Sequence, residues 1–270
     1  MSMELSNQNK LSEFYEELKR LNINVIRPDI NTCLADFTSN GKDFLYALGA
    51  IKNVGYDAIS SVVKERTENG VFENISDFIN RVNPKNINKL QLEGLVKAGA
   101  FDKINNNRQS LFNSIPNIIL KSKNHFENKL DNQINLFNED VKPNDDFLEQ
   151  IENWNEDDKL SKEFETLGFY ISDHPLNQYK IIYNQYNIIN YDQFENDKST
   201  LSSNIACTVL KVQEKKTQKG SSYAIVKLSD LSGVFELFIF SDIFELNRDK
   251  LIEGNSLMLT LMKNYIDEAK

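Results

Sequence analysis

The chain has 270 residues and a mass of 31.2 kDa, with 40% apolar and 26% charged residues, the composition of an ordinary globular protein large enough for two small domains. No apolar run approaches the roughly 20 residues of a membrane span, and Met1 to Asn7 has neither the basic nor the apolar region of a secretory signal. The net charge of −9 argues against a simple nucleic-acid binder.

The distribution of charge weakens that argument. Residues 127–165 hold 4 basic and 13 acidic groups, a net −9 that equals the whole excess, while 1–126 sum to +2 and 166–270 to −2. The flanking regions are therefore free to present local basic faces. Cys33 and Cys207 are expected as separate buried thiols rather than a disulfide. His125 and His174 stand alone, so no zinc cluster is expected.

In chain order, apolar residues at 11, 14, 15, 18 and 21 predict a helix over 10–21, with Ser12 as its N-cap. Asn24 to Pro28 reads as a short extended run. Residues 43–115 read as short helices: Asp43 to Ala50, then Ala58 to Arg66, then Asp77 to Val82 capped by Ser76, then Lys89 to Ala98, with Gly99 at the C′ position. The turns are 49–55 and 83–88, so a turn–helix unit recurs about 33 residues on. Residues 127–160, acid-rich and poor in aliphatics, are expected to lack stable structure. Residues 161–185 read as partly helical, broken at His174-Pro175. From Asn204 the pattern becomes β-rich: Ile205 to Val212, Tyr223 to Leu228, Val234 to Phe240 and Ser256 to Met262, with a short helix near 242–251. A three-strand meander, a helix and another strand suggest a small oligonucleotide/oligosaccharide-binding (OB) barrel. The fold expected is thus α+β and multidomain: a small all-α helix-hairpin-helix domain, an acidic linker, and a small β-barrel.

Three constellations carry chemistry. The first is Ile51-Lys52-Asn53-Val54-Gly55 opening a helix, a helix-hairpin-helix signature. A small residue lets the backbone approach a phosphate, and the helix start offers free N–H groups to it. Lys52 adds a point charge. An ordinary interhelical turn is the plain alternative, and the second turn, with Lys85 and Lys89 beside it, tilts the balance towards DNA. Candidate DNA-binding residues here are Lys52, Asn53, Val54, Gly55, Lys85 and Lys89.

The second is the first β-hairpin of the barrel. Lys215, Lys216 and Lys219 make it basic, and Tyr223 and Phe235 are the candidates for stacking on bases of a single strand. Phe238 and Phe240 share a face and are assigned mostly to the core. The bland reading is a solvated hairpin over buried aromatics. The third is Gln133-Ile134-Asn135-Leu136-Phe137, an apolar island in the acidic stretch with the form of a short sliding-clamp-binding peptide. Gln133 would bond at the rim of a pocket and Leu136 and Phe137 would fill it. Five residues also match by chance.

No catalytic residue is expected. There is no Walker loop, nucleophile elbow, metal-binding His pair or ligase lysine motif. Asn31 stands where Asp29 would need a second carboxylate for two-metal chemistry.

The order of these features resembles the C-terminal part of the bacterial C-family replicative DNA polymerases, the polymerase III alpha subunits. The stretches that carry the resemblance are Arg27-Pro28-Asp29-Ile30-Asn31, Tyr46 to Gly55, Leu95 to Asp102, Glu165 to Tyr170 and Asp173 to Tyr179. The resemblance implies five regions: 1–40, the end of the fingers; 41–120, the tandem hairpins; 121–160, a flexible linker with the clamp motif; 161–200, a helical connection; 201–270, an OB domain, read as truncated because the chain ends after the strand reaching Met262. It implies template-directed DNA synthesis by the parent enzyme, which would use Mg2+. The catalytic palm is expected to lie outside this chain, so the fragment is expected to be inactive alone and to hold no cofactor. The implied partners are duplex and single-stranded DNA, the sliding clamp and other polymerase holoenzyme subunits, in the bacterial cytoplasm and without a membrane. The alternatives are a stand-alone helix-hairpin-helix repair enzyme and a non-enzymatic clamp-binding adaptor.

Overall fold

The computed structural model describes residues 4–130, 145–217 and 220–263. The chain divides into two compact units, Met1–Ser172 and Asp173–Lys270. Its class is α+β, with helices dominating the first unit and an antiparallel sheet the second.

The first unit opens with α1, Gln8–Arg20. It starts earlier than expected, because the Asn7 side chain accepts from Lys10 N at 3.3 Å. Ser12 lies buried inside the helix instead of capping it. The strands β1, Asn24–Ile26, β2, Thr38–Ser39, and β3, Asp43–Leu45, form a small sheet in the order β1-β3-β2. The helix expected over 43–50 is thus strand β3 followed by a 3-10 turn at Leu48–Ala50. Extended backbone wins there because Tyr46 N continues the ladder to Ile26 O, and Phe37 and Phe44 stack across it with ring centroids 5.6 Å apart.

Four helices follow: α2, Tyr56–Asn69, α3, Ile75–Arg81, α4, Lys89–Lys97, and the long α5, Arg108–Leu130, which carries Pro116 in its interior. Asn74, not Ser76, is the N-cap of α3, accepting from Asp77 N at 2.8 Å. Ser76 N and Ile75 N instead donate to the two carboxylate oxygens of Asp145, at 2.8 and 3.2 Å. Asp145 belongs to the stretch read as unstructured, so that reading is corrected for its described part. Leu148 joins the core, and α6, Glu156–Leu167, begins within it. The irregular segment is held by side chains of α5 and the residues just before it. Ser110 Oγ donates to Glu149 O at 2.5 Å, Asn107 Nδ2 donates to Ile151 O at 2.6 Å, and Ser114 Oγ accepts from Glu149 N at 2.8 Å. These bonds satisfy backbone groups that no helix or strand pairs.

One apolar core fills this unit, with Leu11, Tyr46, Leu48, Ile59, Phe72, Phe78, Leu95, Leu111 and Leu167 among its buried members. Cys33 is a free thiol within it, pushed up to about 11 by burial.

The second unit begins with a 3-10 turn at Pro175–Tyr179, α7 at Lys180–Tyr183 and α8 at Tyr191–Asn196. His174 is structural: its Nδ1 accepts from Leu176 N at 3.2 Å and its Nε2 lies 2.9 Å from Ser229 Oγ. The sheet comprises β4, Ser202–Lys216, β5, Ser222–Ser229, β6, Val234–Ile239, and β7, Ser256–Met262, in the order β6-β5-β4-β7, all antiparallel. The 15-residue β4 pairs with β7 along its first half and β5 along its second, with a register shift between Val209 and Lys211. Such a bulge bends a strand, and the sheet curls into an OB-like half-barrel. Helix α9, Ser241–Asn247, inserts Phe244 into its hollow. Ile205, Cys207, Val209, Ala224, Val226 and Leu228 line that hollow with almost no exposure. Cys207 is free as well, pushed up to about 12 by burial.

Candidate nucleic-acid interface

The first hairpin is built by two anchors. Ile51 and Val54 are buried, and the two residues between them, Lys52 and Asn53, are exposed. Asn53 takes the left-handed conformation at φ 66°, which asparagine tolerates better than most residues. Lys52 N donates to Thr166 O of α6 at 3.0 Å, fixing the turn from below. Gly94 of α4 supplies the close fit, since a Cβ there would stand 2.8 Å from Lys52 O and 3.0 Å from Val54 Cγ2. Helix α4 therefore packs directly on the backbone of the turn.

Helix α2 starts on Gly55, which has no side chain to cap it. The N–H groups of Tyr56, Asp57 and Ala58 have no intrahelical acceptor by geometry, and none of the side chains described supplies one. The fourteen-residue helix that they open adds a positive dipole end. Lys52 Nζ has no carboxylate within 4 Å among the described residues, although its charge helps to hold Glu165, which pairs with Lys97, below the usual carboxylate range. Free donors, a positive helix end and a lysine at an exposed glycine form a place where a phosphate oxygen can approach the backbone.

The second hairpin differs. Asn88 and Gln91 close a capping box on α4: Asn88 Oδ1 accepts from Gln91 N at 3.1 Å, and Gln91 Oε1 accepts from Asn88 N at 2.7 Å. Lys89 is 3.7 Å from Glu93, one turn on. Lys85 is exposed, its N–H taken by Asn83 Oδ1 at 2.9 Å. Asn86 Nδ2 donates to Ser61 Oγ of α2 at 3.1 Å. The second turn is thus a self-satisfied brace beside the first, with Lys85 as its free charge.

In the second unit, Lys215 and Lys216 are exposed at the end of β4, and Lys215 pairs in register with Tyr223 of β5. The aromatic assignment is inverted. Phe235 is buried and stacked flat on Tyr191, with centroids 4.0 Å apart and planes 1° from parallel, so its ring is not offered to a base. Phe238 and Phe240, assigned to the core, are 62% and 72% exposed. Register places Phe238 beside Ile225, with Gln213 on the far side of Ile225, and Lys227 between Lys211 and Glu236. Period-two alternation puts Lys211, Lys215, Tyr223, Lys227, Phe238 and Phe240 on one face. Lys211 lies directly opposite Lys227, and Glu236 flanks Lys227 on its other side, so this row holds two lysines and one glutamate. The missed signal was Lys227. A lysine on the odd-numbered face of β5 marks that face as outward, and the register then carries Phe238 with it.

Gln133, Leu136, Phe137 and Lys219 lie outside the described residues. Among the described residues no group of three or more His, Cys, Asp or Glu side chains is placed to hold a metal ion, and no helix is long and apolar enough to cross a membrane. Asp29, the carboxylate of the Pro28–Asn31 stretch, is committed locally. It accepts from Asn31 N at 2.8 Å and Thr32 Oγ1 at 2.7 Å and pairs with Lys103 at 2.5 Å. Burial opposes its ionisation, yet these donors together hold it below the usual carboxylate range.

Residues 22–111 match a family model described as a helix-hairpin-helix motif. The DNA polymerase III subunit alpha of Caulobacter vibrioides is 33% identical over 96% of this chain and 23% of its own length. That of Borreliella burgdorferi is 31% identical over 94% of the chain and 23% of its length, and that of Haemophilus influenzae 30% identical over 99% and 23%. The chain spans about a quarter of the length of these relatives. Across that quarter, with nearly every residue of the chain included, it is similar to the C-terminal part of DNA polymerase III alpha subunits.

Proposed function

We propose that this chain is the DNA-holding part of a template-directed bacterial DNA polymerase, working in the cytoplasm with other replicative subunits. The observation that carries the reading is the uncapped start of α2 at Gly55 beside the unpaired Lys52, inside the segment matched to a helix-hairpin-helix motif. A duplex would be held there through one backbone phosphate, without reading base sequence. Lys85 extends the same charge from the second hairpin. Chemistry belongs to the parent enzyme, and its Mg2+ is assigned to residues other than those described here. Titration of a labelled duplex tests the reading: binding should be tight at low salt and weaken steeply as salt rises.

The outward face of the sheet is the proposed contact for single-stranded DNA. Lys211, Lys215 and Lys227 would meet phosphates, with Lys216 at the strand end beside them, and Tyr223, Phe238 and Phe240 would stack on bases. This revises the aromatic set expected from sequence by replacing Phe235. The third proposed contact is Gln133-Ile134-Asn135-Leu136-Phe137 with the sliding clamp. Its support is the residue pattern, two apolar anchors and a glutamine within an acidic stretch. Leu136→Ala with Phe137→Ala should weaken clamp binding more than a hundredfold, on the basis of roughly 1.5–3 kcal/mol for each buried anchor. Equal titrations of the clamp against the two forms would remove this contact from the account. Several weak attachments of this kind raise effective concentration together.

A further inference from the structure

A cavity of about 320 Å3 opens in the first unit between β1, the loop that follows it and the turn after α4. Val25 and Arg27 line one side, Gly99 and Lys103 another, with Arg108 beside them. No residue of β3 lines it, so it lies along the open edge of β1, which pairs with β3 alone. Tyr46 N donates to Ile26 O, so the backbone groups of Ile26 turn towards β3 and those of Val25 turn the other way. Val25 N–H and C=O have no partner among the described residues.

The walls are fixed from outside the cavity. Ile30 N donates to Ala100 O at 2.8 Å, and Asn31 exchanges two bonds of 2.8 Å with the backbone of Phe72. Arg66 Nη1 donates to Ile30 O at 2.5 Å and to Cys33 O at 2.9 Å. Gly99, at φ 75°, makes room for Arg108, since a Cβ there would stand 2.6 Å from the guanidinium Cζ. The charges of the lining are unequal. Asp29 pairs with Lys103 at 2.5 Å, and Asp102 accepts from Arg108 Nε at 2.8 Å and Nη2 at 2.6 Å. The third cation, Arg27, is exposed, and its guanidinium has neither an ion pair nor a hydrogen bond among the described residues.

We infer that this cavity is a docking site for an acidic protein segment in extended conformation, which adds to the edge of β1 through Val25 N–H and C=O and places a carboxylate on Arg27. An edge strand is a ready template for a further strand, and the guanidinium fork matches a carboxylate through two parallel N–H bonds. Val25 and Arg27 lie two residues apart, so one short strand reaches both. A phosphate or a free carboxylate would use Arg27 and leave Val25 unused. No residue of either hairpin turn lines the cavity, so this contact is separate from the proposed hold on DNA.

The test is an NMR titration of the isotope-labelled full chain with the capped peptide Thr-Glu-Val-Glu-Thr, its glutamine counterpart Thr-Gln-Val-Gln-Thr, and inorganic phosphate. The glutamate peptide should shift the Val25 and Gly99 amide signals saturably and slow hydrogen exchange at Val25 N–H. The dissociation constant should rise at least about tenfold for the glutamine peptide, and likewise for the glutamate peptide on Arg27→Gln. Lys123→Gln removes the same charge from α5, about 20 Å along the helix from Arg108, and should leave the constant within about twofold. No saturable shift with the glutamate peptide overturns the inference. So does equal affinity for the two peptides, or an equal effect of Arg27→Gln and Lys123→Gln. Phosphate binding as tightly as the peptide, with Val25 exchange unchanged by the peptide, overturns it in favour of a simple anion site.

Discussion

Glu163 is fully buried in the first unit, where its Oε1 accepts from Ile171 N at 2.8 Å and Ser172 N at 2.9 Å while Oε2 has no hydrogen-bond partner among the described residues. Burial dominates and holds its carboxyl above the usual range, against the lowering effects of those two bonds, the Ser172 side chain and the Arg108 charge. The folded state therefore binds this proton more tightly than the unfolded state. Stability contributed by the neutral acid is complete below the ordinary carboxylate pKa of about 4.3 and is lost as pH rises through the raised native value. Glu163→Gln keeps an oxygen for both N–H groups without a buried charge. Its melting temperature should match wild type in acid and exceed it at pH 7–8, and thermal unfolding across that range checks it. A wild-type pH profile unchanged by the substitution would contradict the assignment. Nothing in the sequence marks Glu163: it sits in an acid-rich run, and only packing distinguishes a buried carboxylate from the solvated ones beside it.

The helices starting at Gly55 and Asn88 show how far element-level signals were legible. Both turns, the helices after them and Gly99 beyond α4 follow from local residue types, and these form largely as expected. What local reading missed was supplied from afar. Asp145 caps α3 from 69 and 70 residues away, and strand β3 exists because β1 and β2 flank it. The sheet repeats the lesson, since alternation fixed which residues share a face but not which face turns outward. The corrected face makes a prediction. Phe238→Ala with Phe240→Ala should weaken binding of a thymidine oligonucleotide at least tenfold, at about 1–3 kcal/mol for each stacked base. Both rings are exposed, so the fold should withstand the change. Unchanged oligonucleotide affinity in a folded double variant would mean that the face is not a stacking platform.

At the scale of the whole molecule, the net charge of −9 misleads because it averages over regions of different character. The charges that matter for a phosphate are the few left unpaired beside free backbone donors, and Lys52 is the clearest of them. Two compact units, one with an uncapped helix start beside Lys52 and one with lysines and exposed aromatic rings on one face of its sheet, suit the proposed hold on DNA. The central claim is the grip at the first hairpin. Its most direct test is fluorescence anisotropy of a labelled duplex titrated with the wild-type chain and with Lys52→Ala, at several salt concentrations between 50 and 200 mM. The account predicts weaker binding by the variant on every duplex sequence, with the slope of log K against log salt reduced by about one unit. Identical affinity and slope for the two proteins would contradict it.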